Sequence, residues 1–285
     1  MKIALAQLNY IIGDFEHNSL KIIEQIRKAR EQETDLIVFA ELSVCGYPPR
    51  DFLEFEDFID RCYKSTDQIA SECIGISAII GAPTRNPETK GKNLFNSALF
   101  LSDGKIQAVA HKSLLPNYDI FDEYRYFEPN REFNVIDFKG VKIALTICED
   151  IWNIGPAPLY VANPMEKLAS QQPQLIINIA ASPFTWNQEN ERNEVLSANA
   201  RQYGIPVVYV NQVGAQTELL FDGNSKVLDA DGHVIRNLKS FAEDFSIIEF
   251  HENNQELTPL GEVCDSIPEP KSMLMHDALV MGIRD

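Results

Sequence analysis

The sequence predicts an α/β protein built in layers, and three observations point there. Short runs of Ile, Val, Leu and Ala recur along the chain, segments with helical spacing lie between them, and no apolar run approaches the ~18 residues of a membrane helix. The runs occupy residues 3–8, 36–40, 77–82, 96–101, 141–147, 175–180 and 206–210. Runs of ~5–7 residues without polar alternation suit strands buried on both faces. Val227-Leu228 and Val234-Ile235 flank Asp229-Ala230-Asp231-Gly232, which signals a hairpin.

Two helices stand out. Residues 19–32 carry Leu20, Ile23, Ile26 and Ala29 at helical spacing. Residues 189–203 carry Val195, Leu196 and Ala200, then meet Gly204, a natural C-terminal cap. The 285 residues fit one large domain with a short appendage, long enough to bury a substantial core. Composition changes at 251–270, where five acids and three prolines (Pro259, Pro268, Pro270) occur without Lys or Arg. That stretch reads as a linker, and residues 271–285 regain a helical apolar pattern. The expected division is therefore 1–250, 251–270 and 271–285.

The 25 Lys and Arg stand against 42 Asp and Glu, a net charge of −17. Such a surface repels phosphate backbones and anionic lipids and argues against nucleic-acid or membrane partners. Its general effect is solubility. The five cysteines, Cys45, Cys62, Cys73, Cys148 and Cys264, are odd in number and lack C-x-x-C spacing. Reduced thiols of a cytoplasmic protein are expected, rather than disulfides or a zinc site. The first residues hold no apolar stretch of signal-peptide type.

Three polar residues end apolar runs. Glu41 follows Leu36-Ile37-Val38-Phe39-Ala40, Lys112 follows Gln107-Ala108-Val109-Ala110-His111, and Cys148 follows Ala144-Leu145-Thr146-Ile147. Ligands gather at the carboxyl ends of strands in α/β sheets. Singly, each residue has a plain explanation: a small buried hydrophobe for the cysteine, rim or surface charge for the others. Together they meet a chemical need. A carboxamide is a poor electrophile with a poor leaving group. A thiol supplies the nucleophile, a carboxylate takes its proton and returns it to departing ammonia, and an ammonium stabilises the oxyanion. The backbone N–H next to the cysteine, here that of Glu149, can complete an oxyanion hole. Other chemistries lack their signatures: H-E-x-x-H, G-x-S-x-G, G-x-x-x-x-G-K-[ST] and G-x-G-x-x-G are all absent. A Cys–His pair stays open at this stage, because its partners need not be adjacent in sequence.

Longer segments add to this reading. They are Phe39-Ala40-Glu41-Leu42-Ser43 with Gly46-Tyr47-Pro48-Pro49-Arg50-Asp51, the run from Lys112-Ser113-Leu114-Leu115-Pro116-Asn117-Tyr118 to Phe127, Cys148-Glu149-Asp150-Ile151-Trp152, Ala181-Ser182-Pro183-Phe184, and Tyr209-Val210-Asn211-Gln212-Val213-Gly214. Residues 1–250 thereby resemble the nitrilase superfamily, most closely the glutaminase domains of glutamine-dependent NAD+ synthetases. The resemblance implies a four-layer α-β-β-α sandwich and commonly a homo-oligomer. It implies Glu41 as general base, Lys112 as oxyanion stabiliser, Cys148 as nucleophile and Glu123 as a second carboxylate supporting Lys112. It also implies that Tyr118 and Ser182 hold glutamine, that Glu149 sits beside its amino group, and that Phe184 lines the pocket.

One position departs from the pattern. The resemblance places a Lys or Arg six residues after the serine, to meet the glutamine α-carboxylate, and here that position is Gln188. Arg192, one helical turn on, is the candidate substitute; the alternative pairs it with solvent or Glu189. The tail from Met275 resembles the opening helix of a synthetase domain, with Leu274, Ala278 and Leu279 lacking an evident partner. A helix docked on its own domain is the alternative. No Ser-Gly-Gly-x-Asp-type phosphate loop occurs, nor any Gly-Gly pair. ATP and Mg2+ are thus expected only for a synthetase domain outside this sequence, with no cofactor or metal in this one. The rival functions are a free-standing amidase for another small amide and a non-catalytic domain of the same fold.

Overall fold

A computed structural model describes all residues except 156–157, 255 and 265–269. The first half comprises β1 (Lys2–Gln7), α1 (Phe15–Glu31), β2 (Leu36–Val38), α2 (Glu56–Ser71), β3 (Ser77–Arg85), β4 (Leu94–Ser102), β5 (Lys105–His111), α3 (Glu123–Tyr126), β6 (Ile136–Phe138) and β7 (Val141–Ile147). The second half comprises α4 (Pro164–Ala169), β8 (Leu175–Ala180), α5 (Gln188–Tyr203), β9 (Val207–Asn211), β10 (Val213–Gln216), β11 (Leu219–Asp222), β12 (Lys226–Leu228), β13 (Val234–Asn237), β14 (Asp244–Asn253), β15 (Glu256–Pro259) and α6 (Lys271–Arg284).

Among the described residues, one sheet runs β15-β14-β1-β2-β3-β4-β5 and a second runs β13-β12-β9-β8-β7-β6. The centres of both sheets are parallel: β1, β2 and β3 in one, β7, β8 and β9 in the other. Successive residues in a strand face opposite ways, so both faces of the first sheet need cover. Ile3, Leu5, Leu36, Val38 and Ile79 face the second sheet, in one core with Ile143, Leu145, Ile177 and Val208. Ala4, Ala6, Ile37, Ala78 and Ile80 face the other way, against Ile22, Ile23 and Ile26 of α1 and Ile59, Cys62 and Ile69 of α2. Helices α4 and α5 cover the outer face of the second sheet. The result is the expected α-β-β-α layering. No described helix is long and apolar enough to cross a membrane.

The expected elements are present, with shifted edges. Helix α1 starts earlier than residue 19 because Asp14 accepts the His17 N–H as an N-cap. Leu20 points outward, 55% exposed, because the buried face is set by Ile22, Ile23, Ile26 and Ala29. The hairpin at 229–232 forms between β12 and β13. Helix α5 ends at Gly204, whose φ of 65° is the left-handed cap expected. Helix α2 escapes the sequence reading because Ser65 and Thr66 share its buried face with Phe58, Ile59 and Ile69.

Two readings at the C-terminal end are corrected. Residues 251–259 are not linker: β14 extends to Asn253 and β15 pairs back on it. Leu257 is buried there, and Pro259 is tolerated because β15 is an edge strand. Pro268 lies outside the described residues. The tail helix α6 docks on the β10–β11 hairpin, burying Ala278 and Met281 in a cluster with Val213 and Phe241, against which Leu274 and Leu220 pack. Asp285 accepts N–H groups from Asn9 and Ala215. Leu274 and Ala278 therefore have partners; Leu279 alone of the three stays exposed.

Candidate active site

The carboxyl ends of β2, β5, β7 and β8 deliver the polar residues to one place. Glu41 leaves the sheet after β2, and its backbone lies against Gly81 of β3. A Cβ at Gly81 would stand 2.2 Å from Leu42 N and 2.7 Å from Ala40 O, so only glycine admits this approach. The Glu41 side chain is fully buried. Its Oε1 accepts Lys112 Nζ at 2.8 Å and Asn96 Nδ2 at 2.6 Å, and its Oε2 accepts the Ala181 N–H at 2.9 Å. Ala181 follows β8, so this carboxylate bridges the two sheets.

Lys112 follows β5, its N–H bonded to Asn96 O at 2.8 Å. Its ammonium lies 2.8 Å from both Glu41 Oε1 and Glu123 Oε1 and is 1% exposed. Tyr47 donates to the same Glu123 oxygen at 2.8 Å. Burial works against the Lys112 charge, but the Glu123 and Glu41 carboxylates overrule it and hold the amine well above its ordinary value. Burial lifts the Glu123 carboxyl to about 7 against the pull of Lys112.

Cys148 begins a 3-10 turn, Cys148–Ile151, directly after β7. Its φ of 44° is left-handed, a conformation that costs a non-glycine residue ~1–2 kcal/mol. Burial first, and the Glu41 charge second, push its thiol well above the usual range; Lys112 pulls the other way. The resting arrangement is a thiol, an ammonium and a carboxylate held out of water.

Glu149 is buried, and its Oε1 accepts Tyr118 Oη at 2.8 Å and Tyr160 Oη at 2.9 Å. Burial and then the Glu149 charge hold both phenols well above their ordinary range, so both donate. Glu149 Oε2 has no hydrogen-bond partner among the described residues. Ser182 is fixed by its backbone, with N–H to Asn211 Oδ1 at 2.9 Å and its carbonyl accepting Asn211 Nδ2 at 3.3 Å. Phe184 sits against Phe241, rings 5.1 Å apart and edge-on, beside α6. Gln188 is the half-buried first residue of α5.

Arg192 faces inward, and both expectations for it are corrected. It is 1% exposed and forms a two-pronged pair with Asp222, at 3.1 and 2.7 Å, with a further bond to Gly223 O. Its terminal nitrogens are committed to β11 and meet neither solvent nor Glu189. No hydrogen bond joins Phe184, Gln188 or Arg192 to the Glu41 cluster among the described residues. The sequence reading also omits Asn96, Tyr47, Tyr160 and Gly81. Only Tyr47 carried a signal, lying inside the Gly46-to-Asp51 segment quoted above.

Residues 2–257 match the carbon-nitrogen hydrolase family, and the chain belongs to it. Among curated relatives, the glutamine-dependent NAD(+) synthetase of Synechocystis sp. is 36% identical over 290 residues, covering 99% of this chain and 52% of the relative. That of Thermotoga maritima is 37% identical over 255 residues, covering 87% of this chain and 42% of the relative. The solved glutamine-dependent NAD+ synthetase of Acinetobacter baumannii superposes with a TM-score of 0.89 at 35% identity, over 100% of this chain and 51% of that one. An amidase from Nesterenkonia sp. AN1 shares the fold, with a TM-score of 0.74 at 22% identity. The chain spans about half the length of the curated relatives it matches.

Proposed function

We propose that this chain hydrolyses the side-chain amide of glutamine through a Cys148 thioester. The released ammonia then serves an ATP-dependent amidation of deamido-NAD to NAD+ by a synthetase domain. The carrying observation is the buried Glu41–Lys112–Glu123 ion cluster, with Cys148 under the combined field of Glu41 and Lys112. In this reading Glu41 takes the Cys148 proton as sulfur attacks the amide carbon, and the C=O pair moves onto oxygen. Lys112, already charged, stabilises that oxyanion together with the Glu149 N–H. The C–N bond breaks as Glu41 returns the proton, and ammonia leaves. Water, deprotonated by Glu41, then cleaves the thioester to glutamate and the free thiol.

Glu149 supports an amino-acid substrate over a simple amide. Two phenols hold one of its oxygens and leave the other open to an ammonium. Ser182 and Phe184 belong to the same pocket in this reading, and Gln188, at the N-terminus of α5, faces the substrate carboxylate. ATP and Mg2+ belong to the synthetase domain alone. The buried free thiols Cys45, Cys62, Cys73 and Cys148 suit a reducing cytoplasm. A net charge of −17 disfavours nucleic acid and anionic membranes, and self-association into a homo-oligomer is read by light scattering.

Ammonia release from glutamine, compared with simple amides and nitriles, tests the reading. Cys148→Ala should lower glutamine turnover by ~10⁴-fold or more while the fold persists. A variant with near-wild-type release contradicts it. With ATP, Mg2+, deamido-NAD and ammonia, the 285-residue chain should form no NAD+ by itself.

A further inference from the structure

The Asp150 carboxylate is buried two residues beyond the nucleophile, and the chemistry above gives it no part. Its Oδ1 accepts the backbone N–H groups of Ser113 and Leu114, each at 2.9 Å, and its Oδ2 accepts that of Ile147 at 3.1 Å. Ser113 and Leu114 directly follow Lys112, and Ile147 directly precedes Cys148. One carboxylate therefore ties the backbone leaving Lys112 to the backbone entering Cys148. The first segment hangs from β5 and the second from β7, so the tie crosses from one sheet to the other. Among the described residues, no other hydrogen bond joins these two segments directly.

We propose that Asp150 is the positioning residue that sets the separation of the Lys112 ammonium from the Cys148 sulfur. The inference rests on the reading that those two groups act as a pair. Asp150 touches neither reacting group; it acts through the peptides on either side. Its oxygens meet three donors, a demand an ionised carboxylate satisfies and an amide does not, because an Asn turns an NH2 toward one of the N–H groups. Burial raises its carboxyl to about 6, while the Leu114, Ile147 and Ser113 N–H groups and the Lys112 charge pull the other way. It is thus mostly ionised at neutral pH. The bond to Ile147 N also spans the turn that holds Cys148 at positive φ, so one side chain retains the strained nucleophile and registers it against Lys112.

A double-mutant cycle on thiol reactivity tests this without depending on the substrate. The rate of iodoacetamide addition at Cys148 is followed against pH by peptide mass spectrometry in wild type, Asp150→Asn, Lys112→Met and the double variant. Loss of a well-placed ammonium raises a thiol pKa and slows alkylation. Asp150→Asn should slow alkylation about tenfold at pH 8 and across the measured pH range. In the Lys112→Met background the same substitution should add less than a twofold change. An unchanged profile in Asp150→Asn overturns the proposal, as does an equal loss in both backgrounds, the mark of general loosening. Should Asp150→Asn fail to fold, Asp150→Glu keeps the charge one methylene further out and must show the same Lys112-dependent loss. Ammonia release from glutamine by wild type is measured alongside. Its absence contradicts the glutaminase reading, whereas a normal release with a flat cycle contradicts only the role of Asp150.

Discussion

At the scale of single residues, the proposed mechanism turns on Lys112. Its ammonium is locked between two carboxylates before any substrate arrives, so its charge is available for the oxyanion without reorganisation. Lys112→Met should lower kcat for glutamine by ~10²–10³-fold and leave KM nearly unchanged, because the oxyanion exists only beyond the ground state. Steady-state kinetics in which KM rises and kcat holds would mark Lys112 as a substrate anchor instead. In the proposed reading Gln188 offers the substrate carboxylate only a neutral amide. Gln188→Lys should lower KM for glutamine by ~10-fold, the worth of one charge-assisted bond, without changing KM for a simple amide. The convergence of Glu41, Lys112 and Cys148 was legible in the sequence because each ends an apolar run, where sheet geometry collects polar groups; the roles given them remain those of the proposal. Tyr160 was not legible: it reaches Glu149 from a loop held by Asn153, and no periodicity marks that loop. Asn96 hides inside β4, and its partner Glu41 lies 55 residues away.

Helix α5 shows where local pattern and tertiary context part. Its extent and its Gly204 cap follow from spacing and conformation, and both could be read in advance. What Arg192 does could not, since its partner Asp222 stands 30 residues on, at the end of β11. A buried pair broken on one side leaves an uncompensated charge. Arg192→Gln should therefore destabilise the fold by ~3–5 kcal/mol in denaturant titration. Its KM for glutamine, measured well below the melting temperature, should stay near wild type. A stable variant with a raised KM would return Arg192 to the substrate site. The C-terminal segments teach the same point. Acidic and proline-containing sequence read as linker, yet β15 is held by backbone pairing with β14, to which side-chain composition is nearly indifferent. Helix α6 read as partnerless because its contacts, Val213 of β10 and Phe241 in the turn before β14, lie far away in sequence.

The molecule as a whole carries the electrostatic cost of a dry site between two sheets. Glu123 moves from the ordinary 4.5 to about 7 on folding, with burial the largest cause. Between those values the folded protein holds a proton that the unfolded chain has lost. The contribution is thus fully present below about 4.5 and is lost as pH rises through about 7. Denaturant melts from pH 5 to 8 should show a smaller fall in stability for Glu123→Gln than for wild type, whatever the absolute offset. An equal fall in both would contradict the raised carboxyl. The layered fold was legible from the recurrence of short apolar runs, whereas the pairing order of the sheets depends on contacts across the chain. The central claim is that Cys148, served by Glu41 and Lys112, attacks the amide carbon of glutamine. The most direct measurement is mass spectrometry with peptide mapping after exposure to a glutamine-mimicking electrophile such as 6-diazo-5-oxo-L-norleucine. The account predicts one adduct per chain, on Cys148, blocked by excess glutamine and absent in Cys148→Ala. Labelling of a different residue, or none at Cys148 in a folded protein, would contradict it.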